Sequence, residues 1–174
     1  LCKALHPLPD KHAGLTDVET RYRRRYADLI VNPEVREVFR QRTRIIQLIR
    51  AFFIDRDFLE VETPHRLPAN APELHIDAEV SRDWFLHTSP ELCMKRLLAA
   101  GYSRLFQLCR CWRRGERGRR HLPEFTLLEW YCQGIDYRDL MDECEALIRF
   151  VSEELGSNQE FLYQGRRVAL EGPW

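Results

Sequence analysis

Residues 106–131, FQLCRCWRRGERGRRHLPEFTLLEWY, restrict the possible folds more than any other part of the chain. Two apolar, strand-like runs enclose residues 113–121, which hold five arginines, one glutamate and two glycines. Strand runs on either side of a short polar segment with glycine read as a hairpin. Arg113, His121 and Phe125 place two cations and an aromatic ring on that frame. Arginine suits a polyphosphate because its planar guanidinium meets phosphate oxygens with paired, charge-assisted hydrogen bonds. An adenine ring needs a flat apolar face beside that charge, so the segment reads as a nucleotide site on antiparallel strands. A solvated turn, or a patch touching nucleic acid without specificity, has the same arginine content, and on composition alone both readings stand.

The rest of the chain supplies a sheet and helices to support such a hairpin. With 174 residues, 44% apolar and 31% charged, it can bury a single core. Asn32-Pro33-Glu34 has the signature of a helix start: a capping residue, proline in the first turn and an acid against the positive helix end. Val35, Val38, Phe39, Ile45, Ile46, Ile49, Phe52 and Phe53 then recur at helical spacing. Phe58, Leu59 and Val61 form a short strand ending at Thr63-Pro64. A further strand is expected from His75 to Val80, extended by Trp84, Phe85 and Leu86. Ser89-Pro90-Glu91 opens a second helix that ends near Gly101, and a third runs from about Asp136 to Glu154. Residues 161–170 read as a hairpin turning at Gln164-Gly165, while residues 1–31 read as an irregular connector carrying an arginine cluster. The order predicts an α+β fold, an antiparallel sheet flanked by helices.

Net charge is zero, so any affinity for nucleic acid must come from local clusters: Arg21, Arg23, Arg24 and Arg25, and the arginines between Arg110 and Arg120. None of the six cysteines forms a C-x-x-C pair, which predicts buried free thiols and no metal site. No apolar run approaches the length of a membrane span, and there is no secretion signal, so a cytoplasmic protein is expected.

The pattern R-x-x-x-x-x-x-x-H-x-x-E-F from Arg113 to Phe125, followed by TLLEWY, resembles motif 2 of the class II aminoacyl-tRNA synthetases, and within them the lysine-specific branch. RDFLEVETP at 56–64 is similar to their motif 1. TSPELCMKRLLAAGY at 88–102 resembles the amino-acid-binding segment of the lysine enzymes, and LPDKHAGLTDVETRYRRRYADLI at 8–30 resembles the connector after their anticodon-binding domain. The resemblance implies a partial class II catalytic fold over 32–174, a connector over 1–31, and a homodimer through residues 33–64. It also implies ATP-dependent formation of lysyl-adenylate and transfer of lysine to its tRNA. By the same resemblance Arg113 clamps the α-phosphate of ATP and is the catalytic cation, His121 reaches the outer phosphates, and Phe125 stacks on adenine. Ser89, Glu91, Glu129 and Tyr131 hold the lysine substrate. Each glutamate, met singly, would read as a solvated surface carboxylate, and His121 as a structural histidine.

Two positions depart from the family pattern. Gly115 stands where R-x-E has its glutamate, with Glu116 one residue later, and Leu122 replaces the asparagine of H-N-P-E-F. Both departures bear on adenine recognition. The Gly-rich motif 3, with a second ATP-binding arginine and the acidic ligands for Mg²⁺, does not occur among these residues. The chain is therefore expected to be an incomplete part of the catalytic domain, to bind ATP weakly and to form no lysyl-adenylate by itself. Two other functions fit the same residues: a lysyltransferase acting on elongation factor P, and a non-catalytic lysine- or RNA-binding module descended from a synthetase.

Overall fold

The structure, a computed structural model, describes residues 14–157 and 160–172. It forms two compact units, residues 1–48 and 49–174, with the boundary inside one long helix.

In the first unit the expected irregular connector is irregular over residues 14–17 and then helical, with α1 at Val18–Arg23 and α2 at Arg25–Val31. Residues 1–13 of that connector lie outside the described residues. The helices form because the charge run is locally satisfied. Asp17 caps α1 by accepting from the Thr20 amide at 2.8 Å. Asp28, whose side chain has no solvent exposure, accepts from Arg21 Nε at 2.8 Å, from Asn32 Nδ2 at 2.6 Å and from Arg25. What reads as a solvated basic patch is thus partly an internal ion-pair cluster. Burial would raise the Asp28 carboxyl, but hydrogen bonds from Asn32, Arg21 and Arg25 outweigh it and hold the group below the usual carboxylate range.

A carboxyl with a lowered folded-state pKa contributes stability above its unfolded value of about 3.9 and loses it as pH falls through the lowered value. Helical circular dichroism of the protein is accordingly expected to drop below about pH 4 by a step that Asp28→Asn removes. An identical acid profile for the variant would contradict this.

The helix α3, Pro33–Ile54, starts where Asn32-Pro33-Glu34 places it. In the second unit, the strands β1 (Leu59–Glu60), β5 (Arg104–Trp112) and β6 (Glu124–Cys132) make one sheet in the order β1-β5-β6. β5 and β6 pair antiparallel along nine residues, from Arg104 opposite Cys132 to Trp112 opposite Glu124. β1 runs parallel to β5, with Leu59 beside Leu105, so the expected all-antiparallel sheet is mixed. A parallel neighbour needs a crossover, and the chain from β1 to β5 makes one through a second small sheet and a helix.

That second sheet is β2 (Arg66–Leu67), β4 (Trp84–Leu86) and β3 (Val80–Ser81), antiparallel in the order β2-β4-β3. The strand expected from His75 to Val80 is not formed: residues 75–79 are turn and irregular chain, and only Val80 and Ser81 pair. The backbone there is held by isolated loop bonds instead, Leu86 N to Glu79 O at 2.9 Å and Arg114 N to Asp77 O at 2.7 Å. Asp77, Ala78 and Glu79 are poor strand formers.

The helix α4 spans Glu91–Ala99, and α5 spans Tyr137–Glu154 behind a capping box in which Asp136 and Asp139 each bond the other's backbone amide. The hairpin β7 (Glu160–Tyr163) and β8 (Arg166–Ala169) turns at Gln164 and Gly165, both at positive φ (50° and 78°) as a tight two-residue turn requires.

Alternation along β5 and β6 divides the sheet into two faces. Phe106, Leu128, Trp130 and Cys132 point to one side and pack with Ile49, Phe52 and Phe53 of α3, Phe58, and Ala146, Leu147, Phe150 and Val151 of α5. This cluster covers one face. The opposite face carries Leu105, Gln107, Cys109 and Cys111 beside Tyr131, Glu129, Leu127 and Phe125. That face is buried as well at Leu105, Gln107, Cys109 and Cys111.

Candidate functional site

Of the site residues expected from the sequence, Phe125, Glu129 and Tyr131 lie on this second face, and Ser89 reaches it through a hydrogen bond to Glu129. Glu129 is at its centre, half-buried on β6 opposite Gln107. The Ser89 hydroxyl donates to Glu129 Oε2 at 2.8 Å, and the Tyr131 hydroxyl donates to Oε1 at 2.5 Å. Ser89 lies just before α4, so the helix start and the strand are joined through one carboxylate 40 positions away in sequence. The Ser89 oxygen also accepts from the Glu91 amide at 3.1 Å, while the Glu91 carboxylate takes Lys95 Nζ at 2.5 Å. Both carboxylates are thus partnered within the chain, as a charge beside a sheet requires.

Burial, then the hydrogen bond to Glu129, then the negative charges of Glu129 and Glu91 push the Tyr131 phenol well above its ordinary value. It stays protonated, and the carboxylate beneath it stays an acceptor. The Glu91 charge is the last and least of these influences on Tyr131.

Arg113 sits one residue beyond β5, where its amide donates to Pro123 O at 2.9 Å and continues the ladder. Its guanidinium lies 5.0 Å from the centre of the Phe125 ring, and its Nε reaches the Thr88 carbonyl at 3.5 Å. A cation over an aromatic face is favourable and fixes both groups. Among the described contacts, none links the side chains of Glu116 or His121 to this pair. His121 is exposed, its carbonyl accepting from Gly118 N at 3.1 Å, and Glu116 is half-buried in the loop.

Gly115 has φ +76°, a conformation that costs a residue with a Cβ about 1–2 kcal/mol. The turn itself therefore favours glycine there, and Glu116 is the first carboxylate after it.

Several groups at this face escape a reading of the sequence. Gln107 is 1% exposed, and neither polar atom of its amide finds a partner among the described residues. Such an amide opposite Glu129 marks a place where a ligand's polar group could bond. In the sequence it is one polar letter within an apolar run. Thr88 is fully buried, its hydroxyl within 3.2 Å of Asn70 Oδ1 and 3.1 Å of Glu73 Oε2, so the loop after β2 is tied to the strand-to-helix joint beside Arg113.

The arrangement offers a carboxylate with fixed donors for an ammonium group, and a guanidinium with an aromatic plate for a nucleotide. It does not offer a magnesium site. Among the described residues the one convergent set of possible ligands is His87, Cys109 and Cys111, whose nitrogen and sulfur atoms do not suit Mg²⁺.

The chain belongs to the family of class II tRNA synthetases (D, K and N), which it matches over residues 17–173. It is similar to proteins named lysine–tRNA ligase. It is 46% identical over 180 residues to the one from Magnetococcus marinus, covering all of this chain and 36% of that protein. The same share of the relative, at 46% identity over 179 residues, is matched in Chromohalobacter salexigens. The protein of Carboxydothermus hydrogenoformans is 45% identical over 179 residues, and 37% of its length is covered. The chain thus spans little more than a third of the curated relatives it matches. Among the described residues no helix is long and apolar enough to cross a membrane.

Proposed function

We propose that these residues form part of a catalytic domain that activates lysine with ATP and transfers it to its tRNA. The observation that carries this is the Ser89–Glu129–Tyr131 cluster lying on the same sheet face as the Arg113–Phe125 pair. A family that includes enzymes for aspartate, asparagine and lysine must select among these side chains. A pocket holding Glu129 and Glu91 repels a second carboxylate and attracts an ammonium. Charge therefore favours lysine over aspartate.

In this reading the lysine carboxylate oxygen attacks the α-phosphorus in line. A carboxylate–phosphorus bond forms, the bond to the bridging oxygen breaks, and pyrophosphate leaves with its electron pair. Arg113 neutralises the charge at that phosphorus, while Phe125 stacks on adenine and Glu116 and His121 meet the rest of the nucleotide. Mg²⁺ would help to neutralise the phosphates, and we assign it no ligands here. We take tRNA over elongation factor P as acceptor, because the similar proteins are named for the tRNA product.

The test is amino-acid-dependent exchange of pyrophosphate into ATP by the whole protein that contains this chain. Exchange is expected with lysine and not with aspartate or asparagine. Exchange driven by aspartate in preference to lysine would overturn the proposal. Tyr131→Phe removes one of two donors to Glu129 and is expected to raise the lysine KM roughly tenfold, an effect of about 1.4 kcal/mol, with kcat little changed. An unchanged KM would remove Tyr131 from the site.

Assembly follows the same reading. Val38, Phe39 and Ile54 of α3 and Leu59 of β1 remain exposed, within residues 33–64. A twofold dimer burying this segment is expected in light scattering, and a monomer at high micromolar concentration would contradict it.

A further inference from the structure

We propose that His87, Cys109 and Cys111 form a binding site for one thiophilic divalent cation of the zinc type, under the same sheet face. The proposal does not depend on the lysine reading. Cys109 and Cys111 are two positions apart on β5, so the strand's alternation sends both thiols to one side. His87 follows β4 and is held there by its own backbone: its amide donates to His65 O at 2.9 Å, and its carbonyl accepts from Trp112 N at 3.1 Å. The three side chains are buried, and their nearest ligand atoms all lie within 4.8 Å of one another.

The distances suit a metal. Cys109 Sγ and Cys111 Sγ are 3.8 Å apart, and Cys111 Sγ is 3.9 Å from His87 Nε2. A tetrahedral ion with metal–sulfur bonds of about 2.3 Å sets its sulfurs about 3.8 Å apart, and with a nitrogen bond of about 2.0–2.1 Å the mixed edge is about 3.5 Å. The thiols therefore already stand at the required separation, and His87 Nε2 has a few tenths of an ångström to close on Cys111, with all three ligand atoms within 4.8 Å of one another.

The local electrostatics agree. The hydrogen bond from Cys111 is the largest influence on the Cys109 thiol; with His87 it outweighs burial and drives Cys109 toward the thiolate, while Cys111 is driven the other way. Among the described residues His87 Nδ1 is buried without a partner, and before a metal binds Nε2 donates to the Arg110 carbonyl at 2.6 Å. On binding, the two thiols release two protons to solvent, the imidazole proton moves from Nε2 to Nδ1, and the bond to the Arg110 carbonyl is exchanged for the bond from Nε2 to the metal. The product is neutral, as a buried site beside the His65 and Trp112 rings requires, with ring centroids 5.0 and 5.9 Å from His87. Three protein ligands leave the fourth position for water or a small ligand.

The test is titration of the reduced, purified protein with Co²⁺ as a spectroscopic substitute. One equivalent is expected to bring up thiolate-to-cobalt charge-transfer absorption. Cys109→Ser and Cys111→Ser are each expected to weaken binding more than about 100-fold, beyond the effect of losing an outer-shell partner. Cys144→Ser should change nothing. Because the cysteine variants could misfold, the unsubstituted protein loaded with ¹¹³Cd²⁺ provides a second reading, one cadmium resonance at the shift of a two-sulfur, one-nitrogen site. No thiolate absorption in excess Co²⁺, absorption that survives both substitutions, or a cadmium shift typical of oxygen ligands would each overturn the proposal.

Discussion

Arg113→Ala is expected to slow lysine-dependent pyrophosphate exchange by about 10²–10³-fold in kcat, the usual loss when one preorganised charge-stabilising donor is removed. The guanidinium is placed by the end of β5, the Phe125 ring and the Thr88 carbonyl, and none of these contacts belongs to the aromatic core. The loss should therefore appear in catalysis with a melting temperature close to that of the parent. Arg113→Lys should recover little, since an ammonium keeps the charge without the planar fork. Full exchange activity in Arg113→Ala would remove this residue from the nucleotide site.

The second large effect is on stability. Phe53 is fully buried and meets four rings: Phe52 at 5.3 Å, Phe58 at 5.1 Å, Phe106 stacked at 4.9 Å and Trp130 at 5.3 Å between centroids. It joins α3 to β5 and β6 at the centre of the core that backs the site. Phe53→Ala is expected to cost about 3–5 kcal/mol, because the surrounding rings cannot collapse into the space left. The melting temperature should fall by roughly 6–20 °C. A loss under about 1 kcal/mol in a denaturant titration would mean that this cluster is not the core.

The sequence made the hairpin legible because each strand carries two messages at once. Apolar residues such as Leu105, Phe106, Cys109 and Cys111 mark strands buried on both faces, while Glu129 and Tyr131 add polar groups to one of them. Helix α5 was equally plain, since Asp136 and Asp139 form its cap and the apolar stripe begins behind them. The helices α1 and α2 were hidden by their own arginines. Charge repulsion among Arg21, Arg23, Arg24 and Arg25 looks unfavourable until Asp28 is seen to take two of them. The strand expected at 75–80 fails at 75–79, where Asp77, Ala78 and Glu79 are poor strand formers and only Val80 pairs.

At the site, Ser89, Glu129 and Tyr131 were named from the sequence and stand together, whereas Gln107 was not, because one polar residue inside an apolar run has no signature. The His87 cluster was missed for a related reason. Its histidine lies 22 positions before Cys109, and alternation along a strand brings C-x-C thiols to one face as C-x-x-C spacing would not.

Everything proposed for the site depends on Glu129 being the acceptor for a substrate ammonium group. Calorimetric titration of the protein and of Glu129→Gln with lysine, aspartate and asparagine tests that directly. Lysine is expected to bind the parent protein and aspartate not to. Glu129→Gln keeps the shape but removes the charge and should weaken lysine at least about 30-fold, the lower range for losing one partner of a desolvated charge pair. Equal lysine affinity in the two proteins, or tighter binding of aspartate than of lysine by the parent, would contradict the assignment.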